Sequence, residues 1–228
     1  MRAPTYTILH ADPTLLVLDK AAGVLTVGHA GSRERCLLDD LRRDGHSVLP
    51  VHRLDRETSG VLLLALDPGQ REALEQAFRR REVVKEYLAL VHGVPQAARA
   101  AIDVPILDQG ATARVDRRGR RALSRYVVEE RFGTAAALLR VTLETGRHNQ
   151  IRLHCAHIGH PLLGDRKYGL RPRAARGSTA LPRPPRVMLH AEHLVLRHPA
   201  TGDALDVRAP LPEDYRAVLA LLRRDGAA

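Results

Sequence analysis

Apolar residues fall into short runs separated by turn residues. From Tyr6 to Val27 three β-rich runs (YTILH, LLVLD and GVLTV) alternate with Asp12-Pro13 and Gly23, a pattern of strands and turns. Cys36 to Arg43 has the spacing of a short amphipathic helix that stops at Asp44-Gly45, and Val61 to Leu66 is a continuous apolar run of the kind that forms a buried strand. The clearest helix begins after Asp67. There the aspartate can cap, Pro68 fits the first helical position, Gln70 stands where a capping box places its return partner, and Leu74, Ala77 and Phe78 form one apolar face. Strands are predicted at Lys85 to Val91, Ser124 to Glu129, Ala135 to Glu144 and Ala191 to Arg197, with a last helix at Glu213 to Arg224. The sum is an α+β chain with mostly antiparallel connections. Gln109 to Arg121, with five arginines around Gly110 and Gly119, reads as a loop, as does Arg171 to Arg186, with five arginines and four prolines. No internal repeat or heptad run is present.

Composition bounds this picture. A chain of 228 residues with 44% hydrophobic content can bury its core as a single domain, and residues 1–228 are expected to form one. No apolar run exceeds six residues, too short for a membrane span or a signal peptide. Cys36 and Cys155 stand alone and far apart, which excludes a disulfide framework and fits a reducing compartment, so a cytoplasmic location is expected.

Charge adds a partner. Lys+Arg number 36 against 26 Asp+Glu, and only Lys20, Lys85 and Lys167 are lysines. The planar guanidinium binds phosphate bidentately and stacks on bases, so the bias suits RNA, the alternative being a genome whose codons favour arginine. With no tryptophan and two phenylalanines, an aromatic stacking sheet for RNA is not expected.

Two segments concentrate chemistry. VHRLDRETSG, Val51 to Gly60, sets a charged loop between apolar runs, with Arg53 and Arg56 flanking Asp55. Positive neighbours keep a carboxylate ionised, as a nucleophile or base must be; a structural Asp–Arg pair in a turn is the other reading. TGRHNQIRLHCAHIGHPLLGDRKYG, Thr145 to Gly169, offers Arg147, Gln150 and Arg152 to an anion, the alternative being a solvated helix face. His154, Cys155, His157 and His160 invite a zinc reading, but Gly159 and Pro161 break the helix and no ligand-pair spacing is present, so no metal is expected.

HRLDRETSG, KEYLALVHG, TGRHNQIRLH with GHPLLGDRKYG, and VMLHAEHLVLRHP, in this order, resemble the RluA-type pseudouridine synthases from about Tyr6 to Tyr215. The resemblance implies an α+β catalytic domain with a central, mostly antiparallel sheet, flanking helices and a catalytic cleft. It implies Asp55 as the catalytic aspartate, Tyr87 as the tyrosine that stacks on the flipped base, and Arg152 as the arginine that pairs with the aspartate. RNA contacts are expected from His52, Arg53, Thr58, Lys85, Arg147, His148 and Gln150. Three departures stand out: Lys20-Ala21-Ala22-Gly23 in place of the usual K-P-A-G, Asn149 where many members have histidine, and the expectation of no N-terminal RNA-binding domain of the S4 type ahead of the motifs.

The expected activity is isomerisation of specific uridines in structured ribosomal or transfer RNA to pseudouridine, by a monomer that needs no cofactor, with the target base flipped out of its stack. The alternative is a non-catalytic RNA-binding or ribosome-assembly factor on the same fold.

Overall fold

The computed structural model describes residues 4–28, 34–110, 112–169 and 181–226. In chain order the elements are β1 (Tyr6–Ala11), β2 (Leu15–Lys20), α1 (Leu37–Arg43), β3 (Leu49–Pro50), β4 (Ser59–Ala65), α2 (Pro68–Arg80), β5 (Val84–His92), β6 (Arg99–Asp103), β7 (Ile106–Asp108), β8 (Ala113–Val115), β9 (Leu123–Phe132), β10 (Ala136–Leu143), α3 (Gln150–His157), β11 (Leu189–Arg197), β12 (Ala204–Arg208) and α4 (Glu213–Gly226). The fold is mixed α and β with mostly antiparallel strands, as expected. The chain divides into two compact units, Met1–Lys85 with His190–Pro210, and Glu86–Leu189 with Leu211–Ala228.

In the first unit β1, β2, β4 and β11 follow one another, with β12 on the far side of β11 and the short β3 on the end of β4. All these pairs are antiparallel except β4 with β11, where His190 faces Ser59 and Ala191 faces Gly60. Alternation along β2 and β4 sends Leu15, Val17, Val61, Leu63 and Ala65 to one face, where Leu74 of α2 and Leu194 and Leu196 of β11 close the core. Each of these leucines stabilises the fold by roughly 1.5–3 kcal/mol relative to exposure. The α2 start follows its sequence signal only in part. Asp67 accepts the Gln70 backbone N–H at 3.0 Å with Pro68 in the first turn, but Gln70 Oε1 is buried without a hydrogen-bond partner, so the reciprocal half of the capping box is missing.

In the second unit β5, β10, β9 and β6 form an antiparallel run. Leu88 and Leu90 of β5 and Leu138 of β10 pack on Tyr215, Val218, Leu219 and Leu222 of α4. The opposite face carries Tyr87, Val141 and Tyr126, which are direct cross-strand neighbours, and α3 packs beside β8 and β9.

The structure departs from the sequence reading in several places. Gly23 to Val27 forms no strand, only an isolated bridge between Leu25 and Cys36, because its polar groups are spent on a loop described below. Part of the expected Gln109 to Arg121 loop is instead the β7–β8 hairpin, whose Ile106 and Ala113 share a small apolar cluster with Leu153. The alternative of a solvated helix face does not hold for α3, which is buried from Gln150 through Cys155. Strands β6 and β12 had no sequence signal, since each is five residues with few apolar positions and is held by backbone pairing to a longer neighbour. Residues 170–180, most of the Arg/Pro segment, lie outside the described residues. At its end Arg186 is buried, forked onto Asp214 at 2.6 and 2.9 Å, which makes it part of the protein's packing.

Gly60 is the residue the β4–β11 junction cannot replace. Its φ is +112°, and a Cβ there would sit 2.1 Å from the Ala191 carbonyl oxygen. Gly23 has φ +86° with open space around it. Gly60→Ala is therefore expected to lower unfolding free energy by at least about 3 kcal/mol, because strain and a backbone clash add, while Gly23→Ala costs about 1 kcal/mol from strain alone. Urea midpoints of the two variants check the difference.

Candidate active site

The first unit builds a loop around Asp55. Leu54, just before it, has both backbone groups satisfied by one side chain: the Thr26 hydroxyl donates to Leu54 O at 2.9 Å and accepts from Leu54 N–H at 3.2 Å. Asp55 O accepts from Thr58 N–H at 3.1 Å, closing a turn through Arg56 and Glu57. Arg56 O accepts from Gly23 N–H at 2.8 Å and from the Lys20 ammonium at 3.3 Å. Lys20 has no solvent exposure, and its Nζ also donates to Ala21 O at 2.8 Å and Val24 O at 3.0 Å. An ammonium has three N–H donors, and three carbonyls meet it here. The Lys20 to Gly23 segment, which lacks the family's proline, holds its shape through this ammonium and is the platform on which the aspartate turn rests.

His52 anchors the other side of the loop. Its Nε2 accepts the Leu63 N–H at 3.0 Å, so Nδ1 carries the proton, and its ring stacks on Phe78 with centroids 4.9 Å apart. Burial and the positive charge of Lys85 push its pKa down to about 3, which keeps it neutral. The Lys85 ammonium lies 5.3 Å from the Phe78 ring centroid. Ser59, next to Gly60, shares a hydrogen bond of 2.9 Å with His190.

Of the residues expected to meet RNA here, Arg53 is exposed and Asp55 half-buried, Thr58 is buried within the turn, and His52 is engaged by the backbone of β4. Arg56 reaches Glu34 rather than folding back on Asp55.

The second unit carries Tyr87 and Arg152. Tyr87 is 8% exposed and lies on the sheet face opposite Leu88 and Leu90, the face with Tyr126, whose hydroxyl pKa is raised by burial and by Cys155 of α3. Tyr87 and the helix that bears Arg152 thus share one side of this sheet. Arg152 is almost wholly buried. Its Nε and Nη2 donate to Asp165 Oδ2 and Oδ1 at 2.7 and 2.8 Å, its Nη1 donates to Asn149 Oδ1 at 3.3 Å, and its guanidinium carbon lies 5.0 Å from the Tyr168 ring centroid. Burial raises the Asp165 pKa, but the Arg152 and backbone hydrogen bonds outweigh it and leave the carboxyl below its ordinary value.

Asn149 begins α3 in the left-handed region, φ 54°, and its amide donates to the Tyr168 hydroxyl at 2.9 Å. Asn and His are both enriched at positive φ among non-glycine residues, so the exchange of histidine for asparagine at this position has a backbone reason.

Gln150 is buried and fully occupied. Its Oε1 accepts from the Thr145 hydroxyl and Arg147 N–H, and its Nε2 donates to Leu123 O and the Ser124 hydroxyl, all between 2.8 and 3.0 Å. It organises the turn into α3 instead of presenting itself to a ligand. Arg147 is half-buried with Nε on Arg121 O at 3.0 Å, and His148 meets Asp108 at 3.2 Å, so both fasten the helix start to the hairpin region. The histidines once weighed as metal ligands disperse: His154 Nε2 pairs with Val104 O and His160 Nδ1 with His92 O, while burial pushes the Cys155 thiol up to about 12. Among the described residues no three His, Cys, Asp or Glu side chains gather to hold an ion.

Sequence reasoning gave no role to Asp165 or Tyr168. The signal was present in GDRKYG, where a carboxylate and an aromatic are set between two glycines, but their common partner lies in another element.

The RNA pseudouridylate synthase family model matches residues 14–157. The ribosomal large subunit pseudouridine synthase D of Pseudomonas aeruginosa is 39% identical over 97% of this chain and 73% of its own length. Synthase C of Salmonella typhi is 36% identical over 95% of this chain and 70% of its own. Among solved structures, human RNA pseudouridylate synthase domain containing 4 superposes with a TM-score of 0.77 at 29% identity, covering 95% of this chain and 92% of that one. With the motifs, the fold and these relatives in agreement, the chain belongs to the RluA-type RNA pseudouridine synthases, the isomerases that convert uridine in RNA to pseudouridine.

Proposed function

We propose that this enzyme modifies a uridine in a stem-loop of ribosomal RNA, working as a monomer in the cytoplasm, with Asp55, Tyr87 and Arg152 as its catalytic residues. The names of its relatives support ribosomal RNA as the substrate class. No helix of the described residues is long and apolar enough to cross a membrane. The observation that carries the assignment of Asp55 is its turn, whose backbone is fixed at Leu54, Asp55 and Arg56 by Thr26, Thr58, Gly23 and Lys20 while the residue is only half-buried. Rigid backbone with a reachable functional group is what chemistry at one nucleotide needs.

The reaction breaks the bond from ribose C1′ to N1 of uracil and forms one from C1′ to C5; the C5 proton leaves and N1 takes up a proton, so the composition of the nucleotide is unchanged. It is redox-neutral and has no co-substrate. The base must detach and turn, which a stacked nucleotide cannot do, so the target is flipped into the site. Attack by Asp55 on the sugar and removal of a sugar proton by Asp55 both require an ionised carboxylate within hydrogen-bond reach. In this reading Arg152 supplies a directed guanidinium to the reaction, and Tyr87 stacks on the freed base, its hydroxyl taking or relaying the C5 proton. Arg53 and Lys85 approach the RNA from the aspartate side.

The Arg-rich hairpin region supplies phosphate contacts. Asp116 engages Arg114 and Arg118 at 2.9–3.2 Å, whereas Arg117 and Arg120 are exposed. The latter two are the proposed phosphate ligands, together with arginines 171, 173 and 176.

Asp55→Asn is expected to give a folded protein that binds RNA and forms pseudouridine at less than about one part in a thousand of the wild-type rate, a loss of about 4 kcal/mol in transition-state stabilisation. Mapping of pseudouridine in RNA incubated with each protein checks this, and turnover near wild type contradicts the assignment. For the hairpin, replacing Arg117 and Arg120 with alanine is expected to flatten the slope of log affinity against log salt by about 1.4 on single-stranded RNA, since each phosphate contact contributes about 0.7. The same change at Arg114 and Arg118, whose charge is already met by Asp116, is expected to alter the slope by less. Titrations at several salt concentrations measure both.

A further inference from the structure

The Asp165 carboxylate divides its work between two tasks. Oδ1 accepts the backbone N–H groups of Lys167 and Tyr168, both at 2.9 Å, and so shapes the turn after Gly164. The same oxygen takes Arg152 Nη2 at 2.8 Å, and Oδ2 takes Arg152 Nε at 2.7 Å. The turn needs one oxygen; the bidentate grip on Arg152 needs the second. With side-chain exposures of 9% for Arg152 and 0% for Asp165, water does not compete for this pair. Two further contacts hold the guanidinium: Asn149 Oδ1 on Nη1, and the Tyr168 ring, over which its carbon lies 5.0 Å from the centroid. Asn149 also bonds the Tyr168 hydroxyl, so the two supports brace one another.

Five guanidinium N–H donors in a planar fork have orientation as well as charge. A carboxylate that engages the Nε–Nη2 edge while an aromatic lies against the face leaves rotation of the group about its own axis strongly disfavoured. It also offsets the positive charge locally, so that Arg152 acts by directed hydrogen bonding more than as a bare cation.

We propose that Asp165 is a positioning residue for the isomerisation, acting through Arg152, with Tyr168 and Asn149 as its supports. This rests on the reading of Arg152 as a catalytic residue. The conservative variant Asp165→Asn separates the two tasks, because its carbonyl oxygen still serves the Lys167 and Tyr168 N–H groups while its amide nitrogen opposes the Arg152 Nε–H.

The expected result is a kcat reduced about 30- to 100-fold, the loss that a misdirected catalytic group brings, with KM for RNA unchanged or lower, since Arg152 then carries more net positive charge. Combining Asp165→Asn with Arg152→Lys is expected to cost no more than Arg152→Lys alone, as for groups that act through one another. Wild-type kcat in Asp165→Asn, a raised KM at unchanged kcat, or losses that multiply in the double variant would overturn the proposal. If Asp165→Asn does not fold, Tyr168→Leu removes the ring beneath the guanidinium and must show the same fall in kcat at constant KM; retention of kcat there counts against the proposal equally. Asp55→Asn assayed in parallel reports on the mechanism itself. Activity in that variant overturns the catalytic reading, whereas an inactive Asp55→Asn beside a fully active Asp165→Asn overturns only the role given to Asp165.

Discussion

A buried ammonium organises the loop that carries Asp55. Lys20 is fully enclosed in the first unit, and its ammonium donates to the carbonyl oxygens of Ala21, Val24 and Arg56, the last being the residue after Asp55. Burying a charge without partners costs several kcal/mol, so the carbonyls must stay gathered for the fold to stand. That requirement runs in the useful direction. The Lys20 to Val24 segment curls around the ammonium, Gly23 reaches Arg56 O, Thr26 pins Leu54, and Asp55 is left on a turn with little freedom. Burial raises the carboxyl of Asp19, the preceding residue in β2, to a pKa of about 6, and the charge of Lys20 works against that rise.

The second unit solves its own problem by other means. Here two buried arginines are each paired with a carboxylate, Arg152 with Asp165 and Arg186 with Asp214. A buried pair adds little net stability relative to apolar packing, but removing one partner is costly, so each pair dictates where its elements sit. Arg186 also donates to Val187 O and Leu189 O, which ties the entry of β11 to the start of α4. Arg152 ties α3 to the turn at Asp165. In both units the motif residues best known by their charge are outnumbered by neighbours whose task is to hold them still.

Much of this was legible in the sequence, and the limits have physical reasons. Long strands and helices with regular apolar spacing, such as β5, β9, β10, α2 and α4, announced themselves because burial of one face decides them. The multi-part motifs pointed to the family because residue type and order survive where local propensity does not. What escaped depended on contacts distant in sequence. Gly23 to Val27 looks like a strand by composition, yet Thr26 spends its hydroxyl on Leu54, 28 residues away. His52 and Gln150 look like ligand-binding groups, but both are consumed by backbone partners, and a polar residue gives no sign in sequence of whether its hydrogen bonds end inside the protein. Asp165 and Tyr168 were passed over for the converse reason: their partner in α3 precedes them by a turn, a break in the helix and two apolar residues.

The central claim is that the Lys20 ammonium fixes the aspartate turn, and hydrogen exchange of Lys20→Met read alongside its kcat tests it most directly. The account predicts exchange at Gly23, Leu54 and Thr58 amides faster by about tenfold or more, the effect of losing a charged hydrogen bond worth about 1.5 kcal/mol, with β10 amides unchanged and kcat reduced. Wild-type protection of those three amides together with wild-type kcat would contradict it.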